Sequence, residues 1–298
     1  MKFLVTGATG FIGKSLVNLL LDQGHSILAI SRTENFELQQ DKITWIQSAL
    51  QLNVSAMDRI REFEPEVLIH LAWEKIPDFS YETSVENLNH QMAFFRNIFK
   101  IDSLEKIIVT GSCWEYNKKI GFCVETENVV SYNYFTWAKN SLRDFLQFEC
   151  LQNNITLIWA RVFYVYGPDQ RKESLLPTVI QNIQNNLVPT IRTPSNSNDF
   201  IYIDDVTEGL LHFAQQKIPS GIYNLGWGKS TSIIDIIATI ESIMHHSNKI
   251  TSTLVENMPI KDTDFWAEMS RTRETLNWGP QTSIEIGVIK MINHMNLS

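Results

Sequence analysis

The sequence has few cysteines and no cluster of basic residues. Its 298 residues include three cysteines, an odd number that lacks the spacing of a metal site and is typical of reduced thiols in a cytoplasmic protein. We expect Cys123 and Cys150 to be small buried side chains. Acidic residues outnumber basic ones, for a formal net charge of −8, so no surface is expected to neutralise nucleic-acid phosphates. The sequence therefore predicts neither a metal site nor a nucleic-acid partner.

Long apolar runs are also missing. The longest apolar stretches are far shorter than a membrane span, and residues 1–6 lack the basic start, apolar stretch and cleavage site of a signal peptide. We therefore expect a cytoplasmic protein without a membrane partner. Hydrophobic residues make up 44% and charged residues 19% of the chain, which is typical of a globular protein with a substantial core.

The first thirty residues have the pattern of a strand, a turn, a helix and a second strand. Strands are predicted at residues 2–6 and 26–31, with a glycine-rich turn from Gly7 to Gly13 between them. Apolar residues at helical spacing follow the turn, and Gly24 stands where a left-handed cap would end the helix. This order predicts a βαβ unit.

Further apolar runs continue the alternation of strands and helices. They are nearly continuous, as expected for strands covered on both faces, and they lie at residues 43–46, 67–71, 106–110 and 156–161. The predicted fold class is α/β, with a doubly wound parallel sheet of the Rossmann type and a smaller C-terminal substrate-binding domain. We assign residues 1–165, with 199–226 returning to them, to the first domain. Residues 166–198 and 227–298 are assigned to the second.

The glycine-rich turn predicts a dinucleotide site. Glycines between a strand and a helix let backbone N–H groups and the helix N-terminus approach a pyrophosphate, which bulkier residues would block. Because the turn lies inside a βαβ unit, an ordinary tight turn is the weaker interpretation. The predicted cofactor contacts in the turn are Gly7, Thr9, Gly10, Phe11, Ile12 and Gly13.

The end of the second strand favours NADP over NAD. Folds that prefer NAD usually place an acid there to bind the ribose hydroxyls, whereas this strand ends in Ser31 and Arg32. A hydroxyl and a guanidinium offer hydrogen bonds and positive charge to a 2′-phosphate. The alternative is that Arg32 is a solvated surface charge.

Several motifs in order resemble the extended short-chain dehydrogenase/reductase family. They are TGATGFIG at residues 6–13, HLAW at 70–73, GSCWEY at 111–116, YGP at 166–168 and DFIYID at 199–204, extended by NLG at 224–226 and WGP at 278–280. Within that family the chain looks like the nucleotide-sugar epimerases, dehydratases and 4-ketoreductases. The resemblance implies a nucleotide-diphosphate sugar as substrate and further cofactor contacts at Leu71, Ala72, Trp73 and Lys139.

The same resemblance implies a catalytic set that this sequence completes only in part. Family members use a Ser or Thr, a Tyr and a Lys, with the Tyr four residues before the Lys. Ser112 and Lys139 match the first and last members, but the position of the tyrosine is occupied by Phe135. Phenylalanine keeps the ring and loses the hydroxyl, so it cannot transfer a proton.

Three explanations of Phe135 remain open. The chain is an engineered Tyr-to-Phe variant, or a natural enzyme that uses another acid such as Cys113, Tyr132 or water, or a binder without catalytic activity. Tyr134 is one residue away from the required position and therefore lies on a different helix face, at about 100° per residue.

The resemblance also implies residues around the sugar and its diphosphate. Related enzymes commonly place an Arg before the Asp-Phe pair, where it can meet the diphosphate, whereas this chain has Asn198 there. The candidate cations for the diphosphate are therefore Arg171, Arg192 and Arg273. Each of them is as readily a solvated surface charge. Tyr164, where the family often has Asn, either lines the sugar pocket or packs in the core. The predicted substrate contacts are Trp73, Ser112, Cys113, Trp114, Tyr164, Arg171 and Arg192.

The reaction expected from the resemblance is reduction. The family's dehydratases follow the catalytic hydroxyl with Asp and Glu, where this chain has Cys113 and Trp114, so 4,6-dehydration is not expected. NADP preference favours net reduction of a nucleotide-linked 4-keto-6-deoxy sugar. The alternatives are a nucleotide-sugar epimerase and a regulatory protein that binds NADP without chemistry.

A homodimer is the expected assembly, because family members commonly pair through the helix that carries the Tyr and Lys positions and an earlier helix. An apolar surface for such an interface is offered by Phe94, Phe95, Ile98, Phe99, Phe145, Leu146 and Phe148. The alternative is that these residues belong to the core.

Overall fold

The structure is a computed structural model that describes residues 1–33, 41–245, 249–255 and 260–297. Its strands are β1 (Lys2–Thr6), β2 (Ser26–Ser31), β3 (Ile43–Gln47), β4 (Val67–His70), β5 (Lys106–Ser112), β6 (Ile120–Cys123), β7 (Thr156–Val162), β8 (Tyr164–Tyr166), β9 (Ser197–Tyr202), β10 (Gly221–Leu225), β11 (Ser230–Ser232) and β12 (Asp264–Ala267). A short 3-10 turn spans Cys113–Tyr116.

The helices are α1 (Phe11–Asp22), α2 (Val54–Phe63), α3 (Tyr81–Ile98), α4 (Tyr134–Gln152), α5 (Leu175–Gln184), α6 (Ile203–Gln215), α7 (Ile233–Ile243), α8 (Lys249–Val255), α9 (Ser270–Leu276) and α10 (Ile284–Leu297). None of the helices within the described ranges is long and apolar enough to cross a membrane.

The chain divides into two compact units. Unit 1 comprises residues 1–117, 128–161 and 207–223, and unit 2 comprises residues 118–127, 162–206 and 224–298. A seven-stranded sheet has the order β10-β7-β5-β4-β1-β2-β3, and the pairings among β5, β4, β1, β2 and β3 are parallel. The strand order reverses between β1 and β4, as in a doubly wound fold. The predicted α/β class is confirmed.

Buried apolar side chains explain why the βαβ unit folds as predicted. Residues 3–6 of β1 and 27–31 of β2 are buried, because helices cover both faces of a parallel sheet. Leu16 and Leu20 of α1 are fully buried. Gly24 ends the helix with a φ of +78°, a conformation that glycine adopts without steric cost.

Unit 2 contains a second sheet with the order β11-β9-β12-β6, to which β8 adds beside β9. Unit 2 includes four stretches that the sequence assigned to the first domain, residues 118–127, 162–165, 199–206 and 224–226. Residues 118–127 leave the first domain because β6 pairs with β12, and residues 199–202 leave it because β9 pairs with β11 and β12. Both pairings join segments that are distant in sequence, which no local pattern announces.

Helices α3 and α4 pack together in unit 1, and four of the residues predicted for a dimer interface belong to the core instead. Phe94, Phe95, Ile98 and Leu146 are all fully buried within the hydrophobic core of unit 1. They cannot reach a partner, because the monomer already covers them. Of the other predicted interface residues, Phe148 is exposed, and Phe99 and Phe145 are partly buried against the same core.

Candidate functional site

The glycine-rich turn joins β1 to α1. Gly7 has a φ of +70°, and a Cβ there would lie 2.9 Å from the Ala72 nitrogen. A Cβ on Gly13 would lie 2.1 Å from the Gly7 carbonyl oxygen. Gly10 caps α1 without a side-chain hydrogen bond, which leaves N–H groups of the first turn for an anion at the positive end of the helix. The turn therefore has the backbone geometry that a pyrophosphate requires.

A cavity of about 310 Å³ opens beside this turn. Its lining includes many of the residues predicted to contact a dinucleotide: Gly7, Thr9, Gly10, Ser31, Arg32, Leu71, Ala72 and Trp73. Phe11, Ile12 and Gly13 lie in the first turn of α1, outside this lining, and Lys139 lies outside it too. Sequence reasoning missed Glu74, which also lines the cavity.

A buried hydrogen-bond chain holds the loop after β4 against the turn. The Thr6 hydroxyl donates to Nδ1 of His70 at 2.8 Å, and Nε2 of His70 donates to the amide oxygen of Gln91. Gln91 in turn donates to the Ala72 carbonyl at 2.9 Å. Burial, with the positive charge of Lys139, lowers the pKa of His70 to about 3, so the imidazole is neutral. This histidine positions the loop.

Ser112 ends β5 and caps the 3-10 turn that follows. Its hydroxyl oxygen accepts from the Trp114 nitrogen at 3.2 Å, and its own backbone nitrogen donates to the Glu115 carboxylate at 2.8 Å. Cys113 is buried and Trp114 is half-buried in this turn. The hydroxyl of Ser112 therefore stands on a loop that is fixed at both ends.

Glu115 is a fully buried carboxylate that sequence reasoning did not identify. It accepts from the indole nitrogen of Trp159 at 3.0 Å and from Nε of Arg161 at 2.9 Å, and it lies 3.6 Å from Arg143. A buried charge is stable only when it is paired and hydrogen-bonded, and these partners meet that condition. Glu115 thus connects the Ser112 loop with β7 and α4.

Lys139 on α4 lies inside unit 1 with only 6% of its surface exposed. Its ammonium donates to the Thr110 carbonyl at 2.9 Å and lies 4.2 Å from the centre of the Trp73 ring, a cation–π contact. Burial lowers the pKa of Lys139 to about 8, opposed by the negative charge of Glu115. The lysine is therefore held close to the end of β5, where Ser112 also stands.

Phe135 occupies an aromatic cluster. Its ring centre lies 5.0 Å from that of Phe79, 5.5 Å from that of Trp73 and 6.2 Å from that of Trp114. The side chain is 6% exposed. The structure thus brings Phe135 together with Trp73 and Trp114, and through Trp73 with Lys139, in a largely apolar setting.

The two neighbouring tyrosines lie elsewhere on the same segment. Tyr134 is 52% exposed and its ring contacts that of Tyr81 on α3, as expected from its different helix face. Tyr132 precedes α4 and is 49% exposed. Burial of its hydroxyl, followed by the charge of Cys113, raises the pKa of Tyr132, which indicates that these two groups are close.

The remaining predicted substrate residues belong to unit 2. Tyr164 on β8 packs its ring against those of Phe200 and Phe265, with centres 5.7 and 6.1 Å away. Three arginines, Arg171, Arg192 and Arg273, are exposed.

Unit 2 also contains a buried carboxylate, that of Asp199. It accepts from the backbone nitrogens of Trp227, Gly228 and Ala267 at 2.6, 2.8 and 3.0 Å. Burial raises the pKa of Asp199 to about 6, against the effect of these bonds. Because its partners are backbone groups of the loop after β10 and of β12, Asp199 joins both segments to β9 in the second sheet. In the described parts of the chain, no three His, Cys, Asp or Glu are placed to hold a metal ion.

Comparisons with known proteins find relatives of similar length and a solved structure with a similar fold. The chain is 25% identical to CDP-abequose synthase of Salmonella muenchen, covering 98% of this chain and 97% of the relative. It is 23% identical to dTDP-4-dehydro-6-deoxyglucose reductase of Escherichia coli, covering 97% and 96%. The crystal structure of UDP-glucuronic acid 4-epimerase from Bacillus cereus in complex with NAD superposes with a TM-score of 0.84 at 24% identity, covering 100% and 99%.

The family is shown by a match over most of the chain. The sequence pattern of the NAD dependent epimerase/dehydratase family matches residues 3–226. That stretch contains the glycine-rich turn, Ser112 and Lys139, on which the predicted resemblance to the extended short-chain dehydrogenases and reductases was based. The chain therefore belongs to the NAD dependent epimerase/dehydratase family of enzymes.

Proposed function

We propose that the protein reduces a nucleotide-linked 4-keto-6-deoxy sugar with a nicotinamide dinucleotide. The observation that carries this proposal is the placement of Ser112 and Lys139 at the end of β5, in the same unit as the cavity beside the glycine-rich turn. The name of the Escherichia coli relative describes this reaction class. Cys113 and Trp114 supply no carboxylate for dehydration.

The residues present fit a dinucleotide. The cradle that a Cβ on Gly7 or Gly13 would fill is the place for the pyrophosphate, and Thr9 and Ser31, whose hydroxyls lie 3.1 Å apart, line the cavity beyond it. The bound dinucleotide would supply the hydride. We propose NAD as the cofactor, because Arg32 already pairs with Glu74 and the Bacillus cereus neighbour is described with NAD. The expected preference for NADP has no support in these comparisons.

In the proposed reaction, the side chains of unit 1 orient the substrate carbonyl and stabilise its developing negative charge. The Ser112 hydroxyl donates a hydrogen bond to that oxygen, and the ammonium of Lys139 contributes positive charge and a hydrogen-bond donor for a ribose. The proton that must reach the oxygen cannot come from Phe135. Tyr132, Cys113 and water remain the sources, and the raised pKa of Tyr132 makes its hydroxyl a weaker proton donor than an ordinary tyrosine.

Two other functions have specific support. A nucleotide-sugar epimerase is favoured by the fold of the Bacillus cereus neighbour, and a binder without catalysis is favoured by the apolar cluster around Phe135. The proposed substrate of the reductase and of the epimerase is a nucleotide-diphosphate sugar, for which Tyr164, Arg171, Arg192 and Arg273 in unit 2 stay proposed contacts, whereas the binder is proposed to take the dinucleotide. A homodimer also stays a proposal, and a monomeric mass by light scattering at micromolar concentration would contradict it.

A single-turnover assay distinguishes the three functions. Enzyme, NADH and a keto-sugar nucleotide are mixed in stoichiometric amounts, and absorbance and sugar composition are followed together. Reduction consumes one NADH for each sugar. Epimerisation changes the sugar without net loss of NADH, and a binder does neither. The proposal is wrong if the sugar binds and NADH persists.

A further inference from the structure

An acidic side chain enters the cofactor cavity from the loop after β4. Glu74 lines this cavity together with Ser31 and Arg32 at the end of β2. One carboxylate oxygen of Glu74 lies 3.5 Å from Nη1 of Arg32, and the other lies 3.3 Å from Nδ1 of His90. The pair forms because β1 lies between β2 and β4 in the sheet, so the loops after both strands meet at one edge.

The carboxylate is the anchored member of this pair. The Glu74 nitrogen donates to the side-chain oxygen of Asn87 at 2.8 Å, and the Asn87 amide donates back to the Glu74 carbonyl at 3.2 Å. Asn87 is only 1% exposed. The Glu74 side chain is 16% exposed, whereas that of Arg32 is 66% exposed. The anchored charge at the cavity edge is therefore negative, and the guanidinium is the more exposed partner.

We propose that Glu74 makes the cavity select NAD over NADP by pairing with Arg32 and opposing a 2′-phosphate. This inference rests on the proposed dinucleotide binding. An unpaired Arg32 would attract the 2′-phosphate, but Arg32 with Glu74 presents almost no net charge, and the carboxylate repels the phosphate directly. Glu74 thus places a negative charge, from the loop after β4, beside the end of the second strand, where NAD-preferring folds usually carry an acid.

The size of the effect follows from the exposure of the pair. Because the Arg32 guanidinium is largely exposed, water and salt screen its interaction with Glu74, so removing the charge of Glu74 should change NADP affinity by about three- to tenfold rather than by orders of magnitude. NAD lacks the 2′-phosphate, and its affinity should stay within about twofold. The prediction is therefore a change of selectivity and not a general gain of affinity.

Calorimetric titration with NAD⁺ and with NADP⁺ tests the proposal without an activity assay. The variant Glu74→Gln keeps the length of the side chain and removes its charge, and it should bind NADP⁺ more tightly by the stated factor. The matched control is Glu86→Gln, which removes an exposed carboxylate that pairs with Lys75 at 2.5 Å. Glu86 lies on α3, the helix that also carries Asn87. This control should leave both affinities unchanged.

Arg32→Ala in both backgrounds separates the mechanism from its alternatives. If the gain acts through the released guanidinium, Arg32→Ala should remove most of the NADP⁺ gain that Glu74→Gln produces. Equal gains for both dinucleotides would mean that the pair only closes the cavity, and would overturn the proposal, as would an unchanged NADP⁺ affinity. A wild-type chain that binds neither dinucleotide would overturn the proposed function as well, whereas retained NAD⁺ binding with no effect of Glu74→Gln would overturn the role of Glu74 alone.

Discussion

The cofactor end and the reaction end of unit 1 carry the family pattern to different degrees. The cofactor end, which is the turn from Gly7 to Gly13 with the loop at residues 71–74, has the close backbone packing that a pyrophosphate requires. The reaction end, which is Ser112, Phe135 and Lys139, keeps a hydroxyl and an ammonium but has an aromatic ring where a proton donor is expected. In the proposed function, binding and proton transfer therefore depend on separate side chains, so one can be absent while the other is intact.

The largest expected effect is restoration of the acid by Phe135→Tyr. A positioned acid typically contributes about 10²–10⁴-fold in rate, so turnover of a keto-sugar nucleotide should rise by about that range. NAD affinity should not change, because Phe135 is outside the lining of the cofactor cavity. Steady-state kinetics together with calorimetry measure both quantities.

A matched tyrosine change on the same helix controls this experiment. Tyr134→Phe removes a hydroxyl from an exposed ring and should leave turnover within about twofold. If Phe135→Tyr is no faster on any keto-sugar nucleotide that the protein binds, the account of a missing acid is wrong. In that case another residue transfers the proton, or the chain is a binder.

The cofactor end could be predicted from sequence because its signals are local. Strand, glycine turn and helix follow one another within the first 22 residues, and each boundary has its own residue-level cause. The second sheet could not be predicted in the same way. Strands β6 and β12 are only four residues long, and Ile120 and Phe122 of β6 are exposed, so their patterns are too short and too little buried to predict strands.

The same contrast applies to individual site residues. Ser112 and Lys139 were predicted because they match family motifs, and the structure places both at the end of β5. Glu115 and Glu74 were missed, because their roles depend on partners that only the fold brings near, such as Arg161, which is 46 residues away from Glu115, and Arg32. The NADP expectation from Arg32 considered its own strand and could not include a charge from the loop after β4.

The next largest effect tests how the reaction end is held. Glu115→Gln leaves Arg161 and Arg143 without their buried counter-charge, and breaking a buried pair typically costs about 3–5 kcal/mol in the free energy of unfolding. Urea unfolding measures this loss. The control is Asp144→Asn, which removes an exposed partner of Arg143 and should cost at most about 1 kcal/mol. Equal losses in the two variants would contradict the structural role of Glu115.

A smaller effect is expected when the cofactor end is overfilled. Gly13→Ala places a Cβ against the Gly7 carbonyl, and such overpacking typically costs about 1–3 kcal/mol of stability and should weaken NAD binding because the turn must shift. The control Gly279→Ala places a Cβ no closer than 3.2 Å to the flexible Arg273 side chain and should change stability by less than about 0.5 kcal/mol. Unchanged NAD affinity in Gly13→Ala would show that the turn does not hold the cofactor.

The smallest expected effect, measured as the change in the free energy of unfolding for each pH unit, comes from the buried ammonium of Lys139. Its pKa is about 8 in the folded protein, where burial disfavours the charged form, against 10.5 for an unperturbed lysine. Below about pH 8 the side chain is protonated in both states, and the cost of burying its charge is fully present. Between about pH 8 and 10.5 the unfolded chain binds more protons than the folded one, so this residue makes the free energy of unfolding rise with pH.

Comparison of the wild type with Lys139→Met isolates that contribution from the other groups that titrate in this range. The unfolding free energy of the wild type, minus that of the variant, should increase from about pH 8 to about pH 10.5, by at most about 1.4 kcal/mol for each pH unit. Urea unfolding at a series of pH values measures the difference. A difference that is flat or falls with pH would mean that Lys139 is solvated, and that the reaction end is as open to water as the cofactor cavity. A difference that rises would show that Lys139 is buried in the folded protein and loses its proton near pH 8, well below an ordinary lysine, so that it still carries its positive charge at neutral pH.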